Sequence, residues 1–141
     1  MATYQKFNQF VEDLAHKVHD FSNDTLKVML TLTAPTSTDA VKADLTEIAA
    51  GNGYTAGGNT ITTSSSGQTT GTYKLVLADS TFTASGGAIA DLRYAVIYND
   101  TPTSPADPLI GFYDYGSTLS LADGDSFTVD LDPTNGFFTL A

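Results

Sequence analysis

The sequence predicts a mainly β protein: an antiparallel β-sandwich or jelly-roll-like domain of about eight short strands, with one short helix and an N-terminal amphipathic helix or arm. Three observations predict it. Several stretches alternate apolar and polar residues with the period of two that places one face of a strand in a core. Gly, Pro, Asn and Asp interrupt these stretches at short intervals, the spacing of sandwich turns. The N-terminal segment, Tyr4 to Phe21, carries the three-and-four step of a helix, and one shorter stretch, Val41 to Ile48, repeats it.

In that segment Phe7, Phe10, Val11, Leu14, Val18 and Phe21 share a face, so an amphipathic helix is expected over 4–21, with a strand or extended arm as the alternatives. Residues 1–24 are taken as this segment and 25–141 as the sandwich domain. Leu26, Val28, Leu30 and Leu32 alternate as a half-buried strand, ended by Ala34-Pro35. Thr38 or Asp39 then caps a short helix with Val41, Leu45 and Ile48 on one face, stopped at Gly51. From Gly51 to Gly71 the composition is Gly, Thr, Ser and Asn, which predicts loop with one short strand near Thr60 to Thr63. Strands follow at Thr72 to Ala78 and Thr81 to Ala84. Leu92 to Tyr98 is apolar on both faces and is expected at the centre of a sheet. Three prolines make Asn99 to Pro108 an irregular loop. Further strands are expected at Leu109 to Tyr113, Thr118 to Leu121, Ser126 to Leu131 and Phe137 to Leu140, divided by Gly116, Asp123-Gly124 and Asn135-Gly136.

The chain has 141 residues, enough to bury roughly two-thirds of its unfolded surface, and no cysteine, so disulfides and thiolate chemistry are excluded. Sixteen acids against six bases leave a net charge of −10, with no base after Arg93, which excludes a phosphate backbone as partner. No apolar run is long enough to cross a bilayer, and the start lacks the apolar core of a signal peptide, so folding in the cytosol is expected. The triplets at Asn23 and Asn99 are then chance matches to a glycosylation signal.

Chemistry is sparse. His16 and His19 lack the further ligands of a zinc site and are expected at the surface. Serine, histidine and aspartate occur, but without a Gly-x-Ser-x-Gly elbow. Asp123, Asp125, Asp130 and Asp132 fail the spacing of a calcium loop and fit a hairpin turn with outward aspartates. The glycines from Gly51 to Gly58 lack the lysine of a phosphate loop and are expected to allow a sharp turn beside a packed neighbour. Tyr113 and Tyr115 beside Asp114 resemble a sugar-binding pair but equally suit a strand and its exit. No catalytic, metal or cofactor site is expected, and the chain is not expected to be an enzyme.

Three stretches carry a family likeness: Asp44-Leu-Thr-Glu-Ile-Ala-Ala-Gly-Asn-Gly-Tyr-Thr-Ala-Gly-Gly58, Arg93-Tyr-Ala-Val-Ile-Tyr-Asn-Asp-Thr101, and Pro108-Leu-Ile-Gly-Phe-Tyr-Asp-Tyr-Gly116 with the closing Phe-Thr-Val-Asp and Thr-Leu. Their order and spacing, over most of the chain, resemble a family of small tailed-bacteriophage virion structural proteins, and within it the head decoration, or cement, proteins of flagellum-seeking siphophages. The resemblance implies a protein on the outer capsid surface that binds the major capsid protein lattice and braces it through protein-protein contacts. A homotrimer is the expected oligomer, because icosahedral shells offer many threefold and quasi-threefold positions. The matching residues are turn and core positions, so no functional residue carries over.

Two other readings compete. A tail tube or head-tail connector subunit would turn its acidic surface to passing DNA, but a tail tube needs a long exposed hairpin that the sequence does not announce. A glycan-binding module of a tail fibre would use the tyrosines. The candidate interface residues are Phe7, Phe10, Leu14, Val18 and Phe21, as a stripe offered to a neighbour, and Arg93, the only arginine, expected to pair with an aspartate and organise the sandwich or its interface.

Overall fold

A computed structural model describes residues 3–141. It is mainly β, antiparallel throughout and sandwich-like. The strands are β1 Thr3–Lys6, β2 Leu26–Thr31, β3 Asn59–Ile61, β4 Thr63–Thr69, β5 Thr72–Leu77, β6 Ser80–Thr83, β7 Ile89–Asn99, β8 Leu109–Leu121, β9 Ser126–Val129 and β10 Phe138–Leu140, with one helix, α1, at Asn8–Ala15. They form a five-stranded sheet in the order β1-β8-β7-β2-β3, a three-stranded sheet β10-β5-β4 and a β6-β9 pair. No helix among the described residues is long and apolar enough to cross a membrane.

The five-stranded sheet is covered on both faces, which explains the apolar runs of its inner strands. On one face Val28, Leu30, Ala95, Ile97 and Ile110, with Leu121 at the end of β8, meet Leu75, Leu77, Phe82 and Leu131 from the smaller sheets and loops. On the other, Met29, Val96, Tyr98, Leu109 and Phe112 form a second cluster, closed by Phe7 and Leu45. As expected from its two apolar faces, β7 is central, between β2 and β8. The two strands expected on either side of Gly116 are one strand, β8, which passes through that glycine at a φ of 99°.

The N-terminal segment departs from its expected form. β1 pairs with β8, Tyr4 opposite Tyr113 and Lys6 opposite Gly111. α1 stops at Ala15 because Lys17 takes a left-handed φ of 63°, and the Val18 N–H bonds back to the Asp13 carbonyl while the Lys17 N–H bonds to Leu14. These are the two bonds of a Schellman end, here closed without the glycine that would have signalled it. The stripe is therefore divided. Phe7 enters the second cluster, whereas Phe10 and Phe21 enter the first, with Leu14 packed against it. Phe7, Phe10 and Phe21 are 0%, 2% and 9% exposed, and Val18 is half-buried outside the helix, so the stripe is part of the chain's own core and has little surface to give a neighbour.

Two further expectations are corrected. Thr38 to Gly51 forms a single 3-10 turn, Lys42–Asp44, in place of a helix. The Asp44 carboxylate accepts the Ala40 and Val41 N–H groups at 2.9 and 3.1 Å, and the chain then runs extended so that the Ile48 N–H reaches the Leu30 carbonyl at 3.1 Å. Tertiary hydrogen bonds outweigh the helical spacing here. Secondly, β4 lies where loop was expected. Its register with β5 runs from Thr63↔Leu77 to Thr69↔Thr72 across a two-residue turn, Thr70-Gly71, with both φ values positive, at 47° and 84°. Such a turn matches the strand twist and holds a polar strand against a partner anchored by Leu75 and Leu77.

The glycine-rich turn behaves as expected. A Cβ on Gly58, at φ 80°, would overlap the Val28 carbonyl, and one on Gly53, at φ 101°, the Thr83 carbonyl. Backbone can approach backbone there only without a side chain.

Candidate functional site

Three features stand out once the core is accounted for. The first is a buried polar hub at the end of α1. His19 stacks on Phe21 at 5.5 Å and lies 5.3 Å from Phe10, so it is a core residue and not the surface histidine expected. The amide nitrogen of Asn99 donates to the Asp24 carboxylate at 2.6 Å and its oxygen accepts the Thr101 N–H at 3.1 Å, which fixes the orientation of the amide. That nitrogen also meets Nδ1 of His19 at 3.1 Å, so Nδ1 is the acceptor and the neutral ring carries its hydrogen on Nε2. Nε2 of His19 and Oδ2 of Asp13 are both buried without a partner among the described residues. Burial lowers the pKa of His19 against the opposing pull of Asp13 and Asp24. Its contribution to stability is thus complete above the ordinary value of 6.5 and is lost as pH falls below that toward the depressed folded value. The melting temperature is expected to fall on acidification from about pH 7 to pH 5, and less steeply in His19→Gln; equal slopes would contradict this reading.

The second is an open cleft of about 910 Å³ where the five-stranded sheet runs past β9 and the loop before β10. Tyr4, Tyr113 and Tyr115 from β1 and β8 line it with Phe127 and Phe137, and Arg93, Asp130 and Asp132 are its charged groups. Arg93 pairs with Asp114 as a fork, Nε to Oδ1 at 2.8 Å and Nη2 to Oδ2 at 3.1 Å, while Oδ1 also accepts the Gly116 N–H at 2.8 Å. This hydrogen bonding holds the Asp114 carboxyl below its usual range and raises the guanidinium. Tyr113 is pushed up to about 12 by burial and by the charges of Asp130, Asp132 and Asp79. The fork matches the expected pairing of Arg93 with an aspartate, the arginine lying inside β7. Because the pair is part-exposed, Arg93→Lys is expected to lower the melting temperature only slightly. A large loss in a thermal melt would mean that the fork carries more of the fold than its exposure allows.

The third is the outer edge of β4. It is hydrogen-bonded to β5 on one side only and, at seven residues, is the longest edge strand among the described residues. Every residue in it is exposed, and no charged residue occurs from Ile48 to Tyr73. Natural edges are usually blunted by lysine, proline or a bulge, and here a single register shift between Thr63 and Ser65 is the only such device. Hydrophobic periodicity could not find this strand, since it has no apolar face; the Thr-Gly turn was the available signal.

No protein-family model, no curated protein and no solved structure matches the chain. Among the described residues no group of three or more His, Asp or Glu side chains is placed to hold a metal ion. The aspartates at 123 and 125 close a turn, with the Ala122 N–H donating to Asp125 at 3.1 Å and the Gly86 N–H to Asp123 at 3.1 Å.

Proposed function

We propose that this chain is a structural protein of a tailed-phage virion, a head decoration protein that binds the major capsid protein lattice and self-associates as a homotrimer. The observation that carries a protein-binding role is the β4 edge, a row of unpaired backbone donors and acceptors on an uncharged stretch of a chain whose net charge is −10. Such an edge can take a strand from a neighbour by backbone pairing, and an acidic neighbour, including a second copy, meets no like charge there. The family likeness of the three quoted stretches supplies the virion. Anything that binds only the assembled lattice stabilises it by mass action, and small contacts repeated in an oligomer add through effective concentration.

Counting the antiparallel alternation from the Thr70-Gly71 turn, the Ser66 N–H points away from β5. Ser66→Pro removes that outward donor, and Ser66→Ala removes only the hydroxyl that meets Tyr73 at 2.8 Å. Co-sedimentation with phage heads stripped of the protein should show binding by wild type and Ser66→Ala and about tenfold weaker binding or worse by Ser66→Pro. Equal binding by all three would remove the edge from the account.

One observation favours a tail-tube subunit as the second reading: β4 and β5 form a hairpin that the sequence did not announce, its β4 arm exposed throughout and its β5 arm held in the core by Leu75 and Leu77. Copy number per virion separates the two, since a head lattice takes many more copies than a tube ring.

A further inference from the structure

We infer that the cleft between β8 and β9 is a saccharide-binding site, separate from the β4 edge. Its volume of about 910 Å³ lies within the ordinary range of small-ligand sites and has room for more than one hexose ring. Its aromatic surface is offered to solvent: Tyr4 and Tyr115 are 38% and 42% exposed, each braced by a phenylalanine set nearly perpendicular, Phe137 at 5.5 Å and Phe127 at 5.9 Å. Pyranose rings present an apolar face of C–H groups that stacks on such rings, and a tyrosine fixed by packing loses little freedom on binding.

The polar groups select among ligands. Asp130 and Asp132 accept hydrogen bonds; the Arg93 guanidinium, two of whose three nitrogens are held by Asp114, donates. An anion would meet both carboxylates and a chain of net charge −10. A basic side chain would be served by the carboxylates but would face Arg93. A purely apolar ligand would strip water from all three charged groups without replacing it. A neutral molecule with an apolar face and hydroxyls that both donate and accept satisfies every group, which describes a saccharide. Asp130 is partly committed already, its Oδ1 accepting the Asp132 N–H at 2.8 Å, and that bond orients the carboxylate.

The test is titration of the full chain, followed by backbone amide NMR shifts, with soluble oligosaccharides of glucose, galactose, mannose, rhamnose and N-acetylglucosamine. At least one series should give saturable shifts confined to residues around Tyr4, Tyr113, Tyr115 and Asp130. Tyr115→Ala and Asp130→Asn, both at exposed positions and expected to melt as wild type, should each weaken binding by about tenfold or more. No saturable shift with any sugar, or binding indifferent to both variants, would overturn the proposal. A lysine-rich peptide saturating the same amides while the sugars do not would also overturn it, and would reassign the cleft to a basic protein segment. None of these results depends on capsid binding, which the Ser66 variants report separately.

Discussion

Deletion of residues 1–21 is expected to abolish cooperative folding. Phe7, Phe10 and Phe21 are buried in two clusters on opposite faces of the five-stranded sheet, and β1 closes one edge of that sheet against β8. Each buried phenylalanine contributes roughly 1.5–3 kcal/mol. Three of them approach the ~5–15 kcal/mol that is the whole stability of a typical domain. The single substitution Phe10→Ala should cost about 3–5 kcal/mol, since it empties a site walled by Phe21, His19 and Phe138. Circular dichroism melts of both variants check this. A truncated protein that melts cooperatively near the wild-type temperature would restore the view of the segment as an exchangeable arm.

The second large effect is expected at Gly58. Alanine there would bring its Cβ onto the backbone of Val28 and Met29, in a strand that is itself central to the core, at a φ of 80° that alanine adopts only with strain. Gly51 has a positive φ as well, 133°, but nothing lies within 4 Å of its would-be Cβ. The two substitutions share the backbone cost, of about 1–2 kcal/mol, and differ only in the collision. Gly51→Ala should fold with a lowered melting temperature, and Gly58→Ala should express insoluble or melt far lower. Similar losses at both positions would show that φ alone decides and that β3 can move away from β2.

The strands whose side chains alternate were legible in the sequence because burial selects those side chains directly: β2, β5, β9 and β10 lie within residues expected to be strand, β6 begins one residue early at Ser80, and β7 overruns Leu92 to Tyr98 at both ends, from Ile89 to Asn99. What was not legible is what tertiary partners impose. Val41, Leu45 and Ile48 have helical spacing, yet the segment is drawn extended by the Asp44 turn and by Leu30. Val18 and Phe21 continue the spacing of Phe10 and Leu14 beyond a helix that Lys17 has already ended. β4 has no apolar residue to read at all. The site residues divide in the same way. The Arg93 partnership was foreseeable from charge scarcity, but its partner was not, because Asp114 is brought opposite only by the β7-β8 register, Tyr94↔Asp114. The tyrosine pair at 113 and 115 was visible as local sequence, whereas Tyr4, Phe127 and Phe137 join it only through the fold. His19 looked like a solvated histidine because its burial depends on Phe10, Phe21 and Asn99, the last of them 80 residues away.

The measurement that bears most directly on the central proposal is an electron cryo-microscopy map of the virion that carries this protein, with copy number taken from the same particles. Density for the fold is expected on the outside of the head, clustered in threes, in copy numbers of the order of the capsid subunits, with β4 lying against a neighbouring chain. Density confined to the tail, or particles that lack the protein altogether, would contradict the proposal.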